Sequence, residues 1–214
     1  DDGKLHAYGH SRIGAQIPTA GLWLRVFWMF VLRLKSFNAL EQELRLPRRW
    51  EKLAGRRRPS ADALGYGLCR FDVEPVRGML ERHLKRAWRN KAIQGRPGQV
   101  RRVVALDGHE LHSSTARCCP GCLIRDVEVK TSRGMKTVRQ YYHRVVVAQW
   151  VGVTPPGILD LEPIQPSEGE VVAAGRLWER IVRRYGRLID VVTVDAIYLE
   201  APFLKKVRQA EKHF

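Results

Sequence analysis

The chain has 214 residues, 44% of them hydrophobic, enough for one generous domain or two small ones with cores of their own. Lys+Arg number 38 against 22 Asp+Glu, and a formal charge of +16 repels itself unless a polyanion neutralises it, which makes nucleic acid the leading partner. The apolar run from Leu22 to Leu32 is broken by Arg25, falls short of the ~20 residues a bilayer needs and lacks a small-residue cleavage site, so neither a membrane span nor a signal peptide is expected.

The first ~95 residues read as helical and basic. Apolar-rich segments at 22–34 and 37–46 are followed by Arg48, Arg49, Lys52, Arg56, Arg57 and Arg58, an electrostatic footprint for phosphates. Ser60 is placed to cap a helix over 61–69. Asp72 is placed to cap another, whose apolar face is Val73, Val76, Leu80, Leu84 and Trp88, with Pro75 in its first turn. Arg82, Lys85, Arg86 and Arg89 cover much of the rest of that helix. Two short helices with a tight link suit a helix-turn-helix and DNA contact; a basic solvated helix in an ordinary bundle is the alternative.

Gln94-Gly95-Arg96-Pro97-Gly98 is the best linker. Beyond it, β-branched runs predict strands at 101–107, 125–131, 138–151 and 157–162, with 132–134 as the turn of a hairpin. A helix is expected from Glu168 to about Tyr185, stopped by Gly186, then a strand over 190–195 and a last amphipathic piece carrying Phe203, Leu204 and Val207. This order argues an α/β sheet with mixed strand directions, over 100–214, with an insertion at 108–137, preceded by a small all-α basic region at 1–95.

Two of the strands stop on an acid: Val103-Val104-Ala105-Leu106 at Asp107 and Val191-Val192-Thr193-Val194 at Asp195. A carboxylate at the end of a buried strand is costly unless a cation meets it. Two of them at neighbouring strand ends can share a divalent Mg²⁺ or Mn²⁺ ion, the geometry of metal-assisted phosphodiester chemistry. Other acids have structural explanations. Ser167 with Glu170 reads as a capping box, while Asp160 and Glu162 alternate with Ile158, Leu159 and Leu161 as the solvated face of a strand. Tyr141-Tyr142-His143 reads as packing at the core edge.

Four cysteines, three of them in Cys118-Cys119-Pro120-Gly121-Cys122, do not form a secreted disulfide framework and suit a reducing cytoplasm. Cys119 and Cys122 have the spacing that lets both thiolates reach one Zn²⁺, with Cys118, His109, His112 or His143 able to complete a tetrahedron; surface-loop thiols are the alternative.

The string Val104-Ala105-Leu106-Asp107-Gly108-His109-Glu110-Leu111 resembles the first catalytic strand of bacterial insertion-sequence DDE transposases. Ile158 to Glu162, Pro166-Ser167-Glu168-Gly169-Glu170 and Asp190 to Ala196 resemble that family's path to its second aspartate. The likeness covers roughly residues 100–205 strongly and the helical part more weakly.

It implies a ribonuclease H-like mixed sheet with flanking helices. It also implies an insertion-sequence transposase that cleaves and joins strands of double-stranded DNA at element ends and target, acting at the nucleoid, without a membrane, and as a homodimer where it follows the family's habit. By the resemblance, Asp107 and Asp195 are the catalytic, Mg²⁺-holding residues. The family's third acid, a glutamate on a later helix, has no match before Phe214, and the chain opens Asp1-Asp2, so it reads as a fragment that is inactive alone. The alternative is a non-catalytic DNA-binding remnant or regulator derived from a transposase.

Overall fold

The computed structural model describes residues 17–46, 57–132 and 134–214. Two compact units divide between Arg77 and Gly78. In the first, α1 (Thr19–Val31), α2 (Phe37–Leu44) and α3 (Ala61–Leu68) enclose Leu22, Val26, Met29, Leu40, Leu44 and Leu64. Ser36 and Ser60 cap α2 and α3, their hydroxyls accepting from the N–H of Ala39 and Ala63. Arg25 is buried, and its guanidinium donates to the carbonyls of Gly21 and Arg57, tying the stretch before α3 to α1.

The expected break near residue 95 falls elsewhere because of α4 (Glu74–Arg89). Its N–H of Glu74 donates to Asp72 as anticipated, but Leu80, Leu84, Ala87 and Trp88 pack into the core of the second unit, Trp88 against Trp150 at 5.0 Å between ring centroids. The helix therefore belongs mostly with the sheet that follows it.

The linker segment supplies β1 (Gln94–Gly95), paired with β5 (Val153–Thr154). The main sheet is built from β2 (Val103–Ser114), β3 (Leu123–Thr131), β4 (Gly134–Val151), β6 (Gly157–Pro163) and β7 (Val191–Thr193). All pairs are antiparallel except β2 with β7. The first half of β4 pairs with β3, and its second half lies between β2 and β6. Between β6 and β7 runs α5 (Glu170–Tyr185), and α6 (Ala201–Gln209) follows β7. Ala173, Ala174, Leu177, Trp178 and Ile181 of α5 meet Val104, Leu106, Val146, Ala148 and Trp150 of the sheet in one core. The unit is a mixed α/β fold whose sheet is flanked by helices.

The stretch 108–137 is built into this sheet rather than inserted in it: β2 continues through Ser114, and β3 and the start of β4 form the expected hairpin, so that 115–122 is the connection between β2 and β3. The hairpin is as expected from 125–131 and 132–134; what the polar residues after Asp107 do not reveal is that β2 runs on to Ser114. Among the described residues, no helix is long and apolar enough to cross a membrane.

Candidate functional site

The parallel ladder matches Val103 with Val191, Val104 with Val192 and Ala105 with Thr193. Asp107 and Asp195 each stand two residues beyond its last pair; β2 does not stop at Asp107 as expected but runs on to Ser114 along β4, whereas β7 ends at Thr193. Val104, Leu106 and Val192 point into the core, and alternation turns both acids to the other face, where both are exposed. Neighbouring strands lie ~4.8 Å apart, so both acids follow directly on a closely paired parallel ladder. Asp195 keeps an extended backbone, and its carboxylate accepts from the N–H of Ala196 at 2.5 Å, opening a single helical turn over Ala196–Tyr198. That turn swings Tyr198 back under the sheet, where it is fully buried.

Glu170 comes to β2 beside Asp107 from the core side. Its carboxylate lies against Gly108: a Cβ there would meet Glu170 Oε2 at 2.3 Å, so only glycine leaves room beside Asp107. Tyr198 Oη donates to Glu170 Oε1 at 2.5 Å, and Arg144 pairs with Oε2 at 2.7 Å. Burial, the bond to Glu170 and the nearby charges of Glu170 and Asp107 hold the Tyr198 phenol protonated far above its ordinary range.

The expected capping box is absent. Ser167 takes a left-handed backbone (φ 67°), Gly169 is the N-cap of α5 with no side-chain bond, and Glu168 rather than Glu170 reaches back, accepting from the N–H of Gln165 at 2.6 Å. Released from capping, Glu170 is free to turn inward. Gly108 immediately after the strand's acid was the sequence signal for this close approach.

Asp160 and Glu162 also differ from expectation. They are buried, not solvated, because β6 carries a bulge: Gln149 pairs with Ile158 but Ala148 with Asp160, which puts Leu159, Asp160 and Glu162 on one face. Arg180 bonds Asp160 and Glu162 at 2.6 and 2.7 Å, and Arg176 bonds Glu162 and Glu168 at 2.8 and 2.6 Å. Every acid in this group is met by an arginine of α5. The bonds from Glu168 and Glu162 push the Arg176 guanidinium further above its usual range, so it stays charged. None of these acids is available to a metal.

The cysteine loop gathers three donor atoms. Cys119 Sγ and Cys122 Sγ lie 3.6 Å apart, and each is 3.4 Å from His143 Nε2. Among the described residues this is the one group of three metal-ligating side chains drawn together. His143 thus belongs with the thiols rather than with edge packing, whereas Tyr142 lies 4.4 Å under the Arg125 guanidinium, which also pairs with Glu110.

Of the basic residues, Arg48, Arg49, Lys52 and Arg56 fall outside the described residues. Arg57 and Arg58 are exposed, Arg58 donating to the carbonyl of Arg45. Arg82, Lys85, Arg86 and Arg89 are exposed along α4, and Lys85 pairs with Glu81 at 2.6 Å. They form a solvated cationic stripe whose backbone is anchored by Leu84 and Trp88. No protein-family model, curated protein or solved structure matches this chain.

Proposed function

We propose that this chain carries much of the catalytic core of a DDE-type DNA transposase with a ribonuclease H-like fold. The observation that carries the reading is that Asp107 and Asp195, both exposed, each stand two residues past the parallel ladder between β2 and β7. The order of elements agrees with it: an acid on the first strand of the main sheet, antiparallel strands, a helix, and an acid just past a strand parallel to the first. The net charge of +16 supplies an affinity for phosphates.

The donor set fits a hard divalent ion. Both carboxylates are solvent-exposed, neither forms an ion pair with an Arg or Lys among the described residues, and oxygen ligands suit Mg²⁺ or Mn²⁺. Such an ion, held by Asp107 and Asp195, supplies charge neutralisation and an activated water or 3′-hydroxyl for phosphoryl transfer. Glu170, Arg144 and Tyr198 brace β2 beside Asp107 from beneath. Arg82, Lys85, Arg86 and Arg89 on one unit and Arg57 and Arg58 on the other are the phosphate contacts.

The test is Mn²⁺-dependent nicking of DNA by the protein that contains this chain. Asp107→Asn and Asp195→Asn should each abolish nicking while keeping the fold and DNA binding, because both side chains are exposed. Nicking indifferent to both substitutions would sink the proposal.

A second reading, a DNA-binding regulator without cleavage, draws on the state of Glu170. The Glu170 carboxylate, which lies against Gly108, is already committed to Arg144 and Tyr198 and is not offered as a third ligand. DNA binding by the wild-type protein with no nicking at any Mn²⁺ concentration selects this reading.

A further inference from the structure

The connection from β2 to β3 has to cross β4. Tyr141 and Tyr142 pair with both strands at once, so β2 and β3 occupy opposite edges of β4. Residues 115–122 make that crossing over the face where His143 stands. Ser114 Oγ starts the turn, accepting from the N–H of Ala116 and Arg117 at 3.2 and 3.0 Å. A tight turn ends it: Cys122 N–H donates to the carbonyl of Cys119 at 3.1 Å, and Cys119 N–H donates to Cys122 Sγ at 3.2 Å. This folds the two sulfurs back to the same side, above the imidazole.

The spacing of the three donor atoms is that of ligands around one ion. With Zn–S of about 2.3 Å and Zn–N of about 2.0 Å, a tetrahedron has edges of about 3.8 Å between sulfurs and about 3.5 Å between sulfur and nitrogen. The separations here are 3.6 Å and 3.4 Å. A disulfide would need the sulfurs at about 2.05 Å. Two thiolates and an imidazole are soft and borderline donors, which select zinc over the hard cations that suit Asp107 and Asp195.

We propose that Cys119, Cys122 and His143 bind a zinc ion that staples the β2–β3 crossing onto β4, with the fourth coordination position open on the exposed side. The staple has a bearing on the site at Asp107. Val147 is the β4 partner of Asp107, and His143 lies four residues along the same strand on the same face, roughly 13 Å away. The zinc-bound loop would wall one side of the surface that Asp107 faces. The proposal stands whether or not that surface cleaves DNA.

The experiment is zinc analysis of the full chain, purified without a histidine tag under reducing conditions. One equivalent of zinc is expected. After chelation, Co²⁺ should give the intense visible bands of a tetrahedral, thiolate-bound ion. Cys122→Ser and His143→Ala should each weaken zinc binding by more than the roughly 10–100-fold that loss of an outer-shell partner costs, and Cys69→Ser should not. Should a variant fail to fold, the wild type still decides the question: zinc should shield two of its four thiols from a thiol reagent until a chelator is added. Three results overturn the proposal. They are a reduced chain that takes up no zinc, a His143→Ala variant that binds it as tightly as wild type, and four thiols that react alike with and without zinc.

Discussion

Arg102 and Asp190, 88 residues apart, close the ladder between β2 and β7 at its entrance. The backbone N–H and Nε of Arg102 donate to Asp190 Oδ2 at 2.7 and 2.8 Å, Nη2 donates to Oδ1 at 2.5 Å, and Nη1 reaches the carbonyl of Arg187. Asp107 and Asp195 carry the same separation in sequence. The clamp that pins the register at one end therefore brings the two acids level at the other.

Asp190→Asn should destabilise the second unit by an amount that depends on pH. The bonds from Arg102, helped by the charge of Lys212, hold the Asp190 carboxyl at about 2, against an ordinary 3.8. A lowered folded-state value contributes stability that is fully present above pH 4 and lost as pH falls through about 2. With its side chain 25% exposed, the pair is worth on the order of 1–2 kcal/mol. Urea unfolding at pH 7 should show that gap between wild type and variant, and the gap should close toward pH 2. A gap of equal size at both pH values would show that the clamp is not the cause.

Gly108→Ala should cost about 1–3 kcal/mol, the usual penalty of overpacking. The new Cβ would meet the Glu170 carboxylate and push it from Tyr198 and Arg144. Adding Glu170→Ala should make the double variant less unstable than the sum of the two single ones, measured by thermal or urea unfolding. Strict additivity would mean that the two residues do not touch.

Asp160→Ala should cost about 1–3 kcal/mol, since it removes one of the two carboxylates that meet Arg180, leaving Glu162 as the remaining one, where the side chains are largely buried. Ile158→Thr, two residues away on the exposed face, should cost far less. Comparable melting temperatures for the two would contradict the bulge that turns Asp160 inward.

DNA binding, if about six phosphates are neutralised, should give a slope of log K against log salt of roughly −5. Replacing Arg82, Lys85, Arg86 and Arg89 with alanine should flatten that slope by about 1 for each phosphate that is no longer neutralised. Fluorescence anisotropy across a salt series reads this directly. An unchanged slope would move the DNA to the segment at 48–58.

Most elements were legible along the chain because their cues are local. The caps at Ser60 and Asp72, the apolar stripe of α5, the Gly186 stop and the β-branched runs each involve residues within a turn or a strand of one another. The position of α4 was not, since the stripe of Leu80, Leu84 and Trp88 says that one face is buried but not against which partner. The bulge in β6 was equally hidden. Alternation reads each side chain from its parity, and one unpaired residue, Leu159, reverses the parity of Asp160 and Glu162.

Along the chain, β-branched runs already placed Asp107 and Asp195 beside strands, although β2 runs on past Asp107 to Ser114, and a two-residue spacing let Cys119 and Cys122 face one centre; both are properties of contiguous residues. Folding in three dimensions makes the strands parallel neighbours, draws Glu170 away from the helix cap to Gly108, Tyr198 and Arg144, and sets His143, rather than His109 or His112, beneath the two thiols. Each of those outcomes joins residues more than twenty positions apart, and such encounters are settled by sheet register and core packing, which no local pattern encodes.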